Sequence, residues 1–267
     1  MSPPDWRLAA ASTLGTAHVK LGLPCQDAHR CSVQRTSGGE PVLIAVVCDG
    51  AGSAARADAG AELASQMIHD EIAAALGAEG FGVRGITPAW IEERLGRFQA
   101  EVAARAEAEE HTPRDFACTL LAAAVGPDCA AFFQIGDGAI VVGEEEETYR
   151  WIFWPDHGEY ENVTFFATEP EAAGHLQFEL VEKRIDEVAL LSDGLQRLAL
   201  HYQTRTAHAG FFKPMLATLR ATPENELESL SAQLEAYLSS PQVNERTDDD
   251  KTLVLASRRG PGAIMDP

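Results

Sequence analysis

Apolar and polar positions along this chain fall into clusters of strand-like and helix-like segments. Residues 6–13, 27–35 and 41–49 have the pattern of strands, and the unbroken run Val42 to Cys48 predicts a strand buried on both faces. A helix is expected over 56–76, where Ala64, Ile68, Ile72 and Leu76 recur at four-residue spacing. The Gly-rich stretch GAEGFGVRG leads to a second helix, with Thr87 as its cap, Pro88 at its first position and Ile91, Leu95, Phe98 and Val102 as one apolar stripe. Residues 116–126, 129–136 and 138–143 read as consecutive, hairpin-like strands.

TYRWIFW reads as a further strand, and the polar, aromatic PDHGEYENVTFFATEP (155–170) as a long loop or flap that would set substrate choice. Two more strands are expected near 175–183 and 186–192. A helix starts at Thr222-Pro223 with Leu227, Leu230, Leu234 and Leu238 facing inward, and a final strand covers 251–257. Strands in clusters and helices in pairs favour an α+β antiparallel sandwich over a doubly wound parallel sheet. Residues 6–258 are expected to form one domain and 259–267 a disordered tail.

Several apolar segments end on a carboxylate. Asp49-Gly50, Asp137-Gly138 and Asp193-Gly194 close three of them, and Asp248, Asp249 and Asp250 immediately precede the last. One Asp-Gly after a strand is an ordinary turn signal, but four tipped strands ask for a common cause. Carboxylates brought together repel one another unless something positive lies between them. All-oxygen ligands suit Mg2+ or Mn2+ rather than zinc or copper.

Composition narrows the picture. The chain has 41 Asp and Glu against 21 Lys and Arg, a formal charge of −20, which disfavours nucleic-acid partners and suits collection of divalent cations. The acidic run Glu144 to Glu147 reads as solvated surface. Five cysteines, odd in number and without a C-x-x-C, read as reduced thiols of a cytoplasmic protein. No apolar run approaches membrane-helix length, and MSPPDWRLAA has neither a basic n-region nor an apolar h-region. A Ser or Cys nucleophile is disfavoured, since no Gly-x-Ser-x-Gly elbow or Cys-x5-Arg loop occurs.

The ordered set CQDA (25–28), CDGAGS (48–53), ACTLLAA (117–123), IGDG (135–138), LLSDG (190–194) and DDKTLVLA (249–256) resembles the metal-dependent protein phosphatases of the type 2C Ser/Thr class, in their bacterial form. The resemblance implies a four-layer α-β-β-α sandwich of two antiparallel sheets flanked by helix pairs. It implies that Asp49 bridges two metals, that the Gly50 carbonyl ligates one, and that Asp193 and Asp249 complete the other. Asp27 would orient metal-bound water, and Asp137 would hold a third, weaker ion with Asp193. The ligand at 249 could slip to Asp248 or Asp250. Hydroxide bridging two Mn2+ or Mg2+ ions would attack phosphoserine or phosphothreonine in proteins, with a cognate Ser/Thr kinase as the opposing partner.

Three positions depart from the family pattern. Ala51 stands where animal members have a His, and Gln26 replaces an acid. Gly22 takes the place of a phosphate-gripping Arg, leaving His18 and Lys20 as candidate phosphate anchors, with Arg30 and Arg56 behind them. These departures keep two rivals in view. One is a phosphatase-like module that binds without turnover. The other is a two-metal hydrolase of small phosphoesters.

Overall fold

A computed structural model of the chain describes residues 6–144, 148–155 and 164–259. Two five-stranded antiparallel sheets carry the fold. The first contains, in spatial order, β1 (Arg7–Thr13), β12 (Lys251–Ser257), β9 (Glu187–Leu191), β6 (Ala139–Gly143) and β7 (Tyr149–Trp151). The second contains β2 (Asp27–Arg35), β3 (Pro41–Asp49), β4 (Leu120–Val125), β5 (Ala130–Ile135) and β8 (Gln177–Val181). Between them lies a shared core in which Leu43, Val47, Leu121 and Phe132 of the second sheet meet Ile140, Val142, Leu190 and Val254 of the first.

Helices cover both outer faces. On the second sheet lie α2 (Ala57–Gly77) and α3 (Pro88–Ala108), whose Ile68, Ile72, Leu95 and Phe98 bury Ile44, Val46 and Cys48 from outside. On the first lie α5 (Ala209–Ala221) and α6 (Leu227–Leu238), packed over Ala189, Leu191, Leu253 and Leu255. Central strands are therefore enclosed on both faces, which is why β3 reads as a continuous apolar run rather than an alternating one. The expected four layers are present.

Sequence pattern and structure part company in three places. The segments 129–136 and 138–143 do not form a hairpin: β5 and β6 belong to different sheets. The chain crosses between sheets at Gly136, whose φ of 109° no other residue type adopts easily. Helix α5 was hidden by Pro214, a helix breaker in its interior, yet burial of Phe211, Phe212, Leu216 and Leu219 outweighs that penalty. Short elements near the first and third Asp tips also carry no periodic signal: α1 (Thr16–Leu21), α4 (Gln196–Ala199) and the ribbon β10 (Leu200–His201) with β11 (Thr206–Ala207).

Thr87 caps α3 as expected, accepting from the Trp90 N–H at 3.2 Å. Most of the expected flap (156–163), residues 145–147 of the acidic run and the tail from 260 lie outside the described residues. Among the described residues no helix is long and apolar enough to cross a membrane.

Gly60 on α2 sets how closely the helix approaches the turn at 113–116. A Cβ there would lie 2.0 Å from the Phe116 carbonyl oxygen. Glycine to alanine in a helix interior ordinarily stabilises by about 1 kcal/mol. Here we expect the opposite sign, with Gly60→Ala losing about 1–3 kcal/mol through forced backbone shifts, as read from urea unfolding.

Candidate active site

The tipped strands meet at one rim of the sandwich. β2 opens on Asp27 and β3 closes on Asp49, and their antiparallel register sets the two residues opposite each other. The Asp49 N–H donates to Thr119 Oγ1 at 3.0 Å and its carbonyl accepts from the Thr119 N–H at 2.8 Å. The other sheet delivers Asp193 just beyond β9 and Asp249 just before β12, two strands that pair directly. Ser192 joins the sheets: its hydroxyl donates to Asp27 Oδ2 at 2.7 Å and accepts from the Thr252 N–H at 2.9 Å. Gly194 is needed for this convergence, because a Cβ there would lie 2.0 Å from the Asp250 carbonyl oxygen.

Asp137 occupies the crossover from β5 to β6. The Thr164 hydroxyl donates to its Oδ2 at 2.8 Å, and the Gln196 side-chain amide donates to its carbonyl. Tyr202 in turn donates its hydroxyl to Gln196 Oε1. Asp137 is thus fixed from two separate loops.

The three consecutive aspartates have distinct roles. Asp250 is 2% exposed and gathers three donors: the Gly15 N–H at 2.6 Å, the Gln26 N–H at 2.5 Å and His18 Nδ1 at 2.9 Å. It ties the starts of α1, β2 and β12 together. Asp248 faces solvent and contributes its carbonyl, which accepts from the Ala17 N–H at 2.8 Å. Asp249 is the member of the run that faces Asp49 electrostatically. Behind it, the buried Lys251 Nζ donates to Asn244 Oδ1 and to the Asp249 carbonyl, both at 3.1 Å.

His18 is therefore not a free phosphate anchor. Its ring is buried against Asp250, where it helps hold the loop that carries Asp249. Lys20 is exposed on the same short helix, and Gly22 caps that helix with φ 69°. Arg30 and Arg56 are paired with Glu62 and Glu109. Gln26 is buried, its Oε1 without a hydrogen-bond partner. The sequence offered few signals for Ser192, Thr252, Gln196 and Lys251, beyond polar residues placed at the ends of buried runs.

Electrostatics at the rim are those of carboxylates in need of a cation. Burial, with Asp27 and Asp193 nearby, pushes Asp49 well above the usual carboxylate range. Burial likewise raises Asp27 to about 7 and Asp193 to about 6, and raises Asp249. Asp49 and Asp193 are close enough that each influences the charging of the other. Asp27 Oδ1 is buried and makes no hydrogen bond among the described residues.

Among the described residues no three His, Cys, Asp or Glu side chains stand close enough to form a ready ligand cage. The donor set is all oxygen, and the Asp27 oxygen left without a hydrogen bond suits a positively charged partner. Hard divalent cations fit these residues.

The signs of these shifts predict how the protein without added metal responds to pH. Carboxyls raised from 3.8 to about 6 and 7 bind more protons folded than unfolded between about pH 4 and 7. Stability in EDTA should therefore fall as pH rises through that window. At pH 8 in EDTA, Asp49→Asn should melt higher than wild type, by about 2–4 °C for each kcal/mol of relieved repulsion. Asp250→Asn should do the reverse, losing about 2–3 kcal/mol because a buried amide cannot accept from all three donors. Thermal melts of both variants check this, and equal signs would refute it.

Comparison with known proteins agrees with this geometry. Residues 14–239 match the protein phosphatase 2C family. The chain is 39% identical over 252 residues to serine/threonine-protein phosphatase 3 of Escherichia coli (strain K12), covering 94% of this chain and 98% of that protein. The serine/threonine phosphatase of S. agalactiae shares the fold with a TM-score of 0.62 at 14% identity, over 95% of this chain and 99% of that one. The catalytic domain of the serine threonine protein phosphatase PstP, solved with 2 manganese ions, does so with a TM-score of 0.61 at 18% identity, over 94% and 97%. Ordered aspartate motifs, paired sheets and a match spanning most of the sequence have one reading: the chain belongs to the protein phosphatase 2C family.

Proposed function

We propose that this serine/threonine phosphatase hydrolyses phosphoserine and phosphothreonine in proteins, and that Mn2+ or Mg2+ is required. The observation that carries the reading is the meeting of Asp27, Asp49, Asp193 and Asp249 at one rim, with Asp27 Oδ1 buried and unpartnered. Asp49, the Gly50 carbonyl, Asp193 and Asp249 would hold two ions, and Asp137 with Asp193 a third. Bound there, two cations would supply a hydroxide nucleophile at neutral pH and offset charge on the phosphoryl oxygens.

The protein's own groups do the rest. Ser192 holds Asp27 in one orientation by donating to Oδ2, which leaves Oδ1 free to accept from water. Asp250 fixes the loop bearing Asp249, so that a charged side chain stays at the rim instead of swinging into solvent. The same carboxylate anchors α1, and Lys20 on that helix gives the phosphate a point charge without the two-pronged grip of an arginine. Substrate binding is correspondingly weak. All five cysteines are free, which suits a reducing cytoplasm where a Ser/Thr kinase would supply the substrate.

The test is turnover of a phosphothreonine peptide with Mn2+ against EDTA. We expect hydrolysis with a high KM that EDTA abolishes. Asp49→Asn and Asp193→Asn should lower kcat by at least about a hundredfold, while Lys20→Ala should mainly raise KM. Near-wild-type turnover by either Asp variant at saturating Mn2+ would overturn the assignment. Binding of a phosphoprotein without turnover of peptide or aryl phosphate would favour a binding module.

A further inference from the structure

Beside the carboxylate rim, a cleft of about 550 Å3 opens between the 51–54 loop, the 112–117 turn and the 166–171 segment. Ala51, the residue after Gly50, forms part of its wall and is tied across it, its N–H donating to the Ala117 carbonyl at 2.9 Å. Anything bound at the rim through a phosphoryl group has this cleft as its neighbour.

The lining is polar and unbalanced in charge. Asp115, Glu169 and Glu171 face a single cation, Arg114. Asp115 accepts from the Thr112 N–H and hydroxyl, both at 2.8 Å, bonds that favour its ionised form. Among the described residues Glu169 accepts one hydrogen bond, from the Phe166 N–H to Oε2 at 3.3 Å. Glu171 is exposed, and among the described residues its carboxylate has no partner. Thr168 is 8% exposed, and its hydroxyl makes no hydrogen bond to any described residue. The residue is thus nearly enclosed while its hydroxyl opens into the cleft, where it can bond to a group that enters.

We propose that this cleft is a specificity subsite that takes a Lys or Arg side chain of the phosphoprotein substrate close to the phosphorylated residue. Glu169 and Glu171 would receive the cationic head, Thr168 would accept one of its N–H donors, and Arg114 would limit how strongly the site attracts it. The proposal rests on the phosphatase reading, because only a bound phosphoryl group makes the cleft the next contact along the substrate chain.

The experiment uses two phosphothreonine peptides that differ only in carrying Arg or Glu at the residues flanking the phosphothreonine. With Mn2+ at low salt, the wild type should prefer the Arg peptide in kcat/KM on the order of tenfold, mostly through KM, with the ratio shrinking as salt rises. Glu169→Gln with Glu171→Gln should reduce the preference to about twofold or less, whereas Arg114→Ala should enlarge it. Aryl phosphate turnover should be unchanged in all of these variants. Equal rates for the two peptides, preference for Glu, or loss of preference on Arg114→Ala would overturn the proposal. If the wild type turns over neither peptide nor aryl phosphate, the phosphatase reading fails. Fluorescence anisotropy of the same two peptides then decides the subsite: tighter binding of the Arg peptide that the double Gln variant abolishes supports it, and equal binding rejects it.

Discussion

Mutual repulsion among carboxylates at the end of a rigid sandwich is the constraint around which this molecule is built. Asp27, Asp49, Asp193 and Asp249 come from four strand ends in two sheets, and each raises the free energy of charging the next. A looser scaffold would let them drift into solvent. Here β3, β9 and β12 are enclosed on both faces, and each strand end is further held by hydrogen bonds such as those of Thr119 and Ser192. Packing of this kind keeps side chains in an arrangement that is unfavourable until a cation arrives.

The run at 248–250 shows how hydrogen-bond supply, rather than charge, decides what a carboxylate does. Asp250 has three donors within 3 Å and behaves as structural mortar, satisfied and buried. Its neighbour Asp249 accepts, among the described residues, the Asp250 N–H alone at 2.9 Å, leaving most of its capacity open toward the rim. Identical side chains one residue apart are thus divided between architecture and chemistry. Losing His18 as a candidate phosphate anchor is part of the same division, because the ring belongs to the cluster around Asp250.

What could be read from sequence follows from where periodicity is strong. Runs such as Val42 to Cys48 and stripes such as Ile91 to Val102 are long and uninterrupted, so their type and burial could be assigned without ambiguity. The crossover at Gly136 could not, since an Asp-Gly between two apolar segments looks the same whether the chain turns within a sheet or leaves it. Pro214 concealed α5 because local propensity opposes what tertiary burial enforces. Aspartates at strand tips were visible one by one, but which of the three adjacent acids faces the rim depends on donors from Gly15, His18 and Gln26, more than 220 residues away in sequence. The cleft beside Ala51 was invisible for the same reason, being assembled from three separate segments.

The position of β12 has a consequence for how a new copy of the protein comes into being. β1 is made before β12, yet among the described strands β12 is the one it pairs with, Arg7 opposite Ser257. That partner also brings Asp249 and Asp250, so the rim cannot close before β12 has been made. Until then the N-terminal strand waits with an open edge, and pairing at such separation is slow. A copy without β12 still has Asp27 and Asp49 on paired strands, but lacks Asp249 and the strand beside β9 that Asp193 follows. The rim is therefore completed in one step, by the strand that joins the earliest of the described strands to β9.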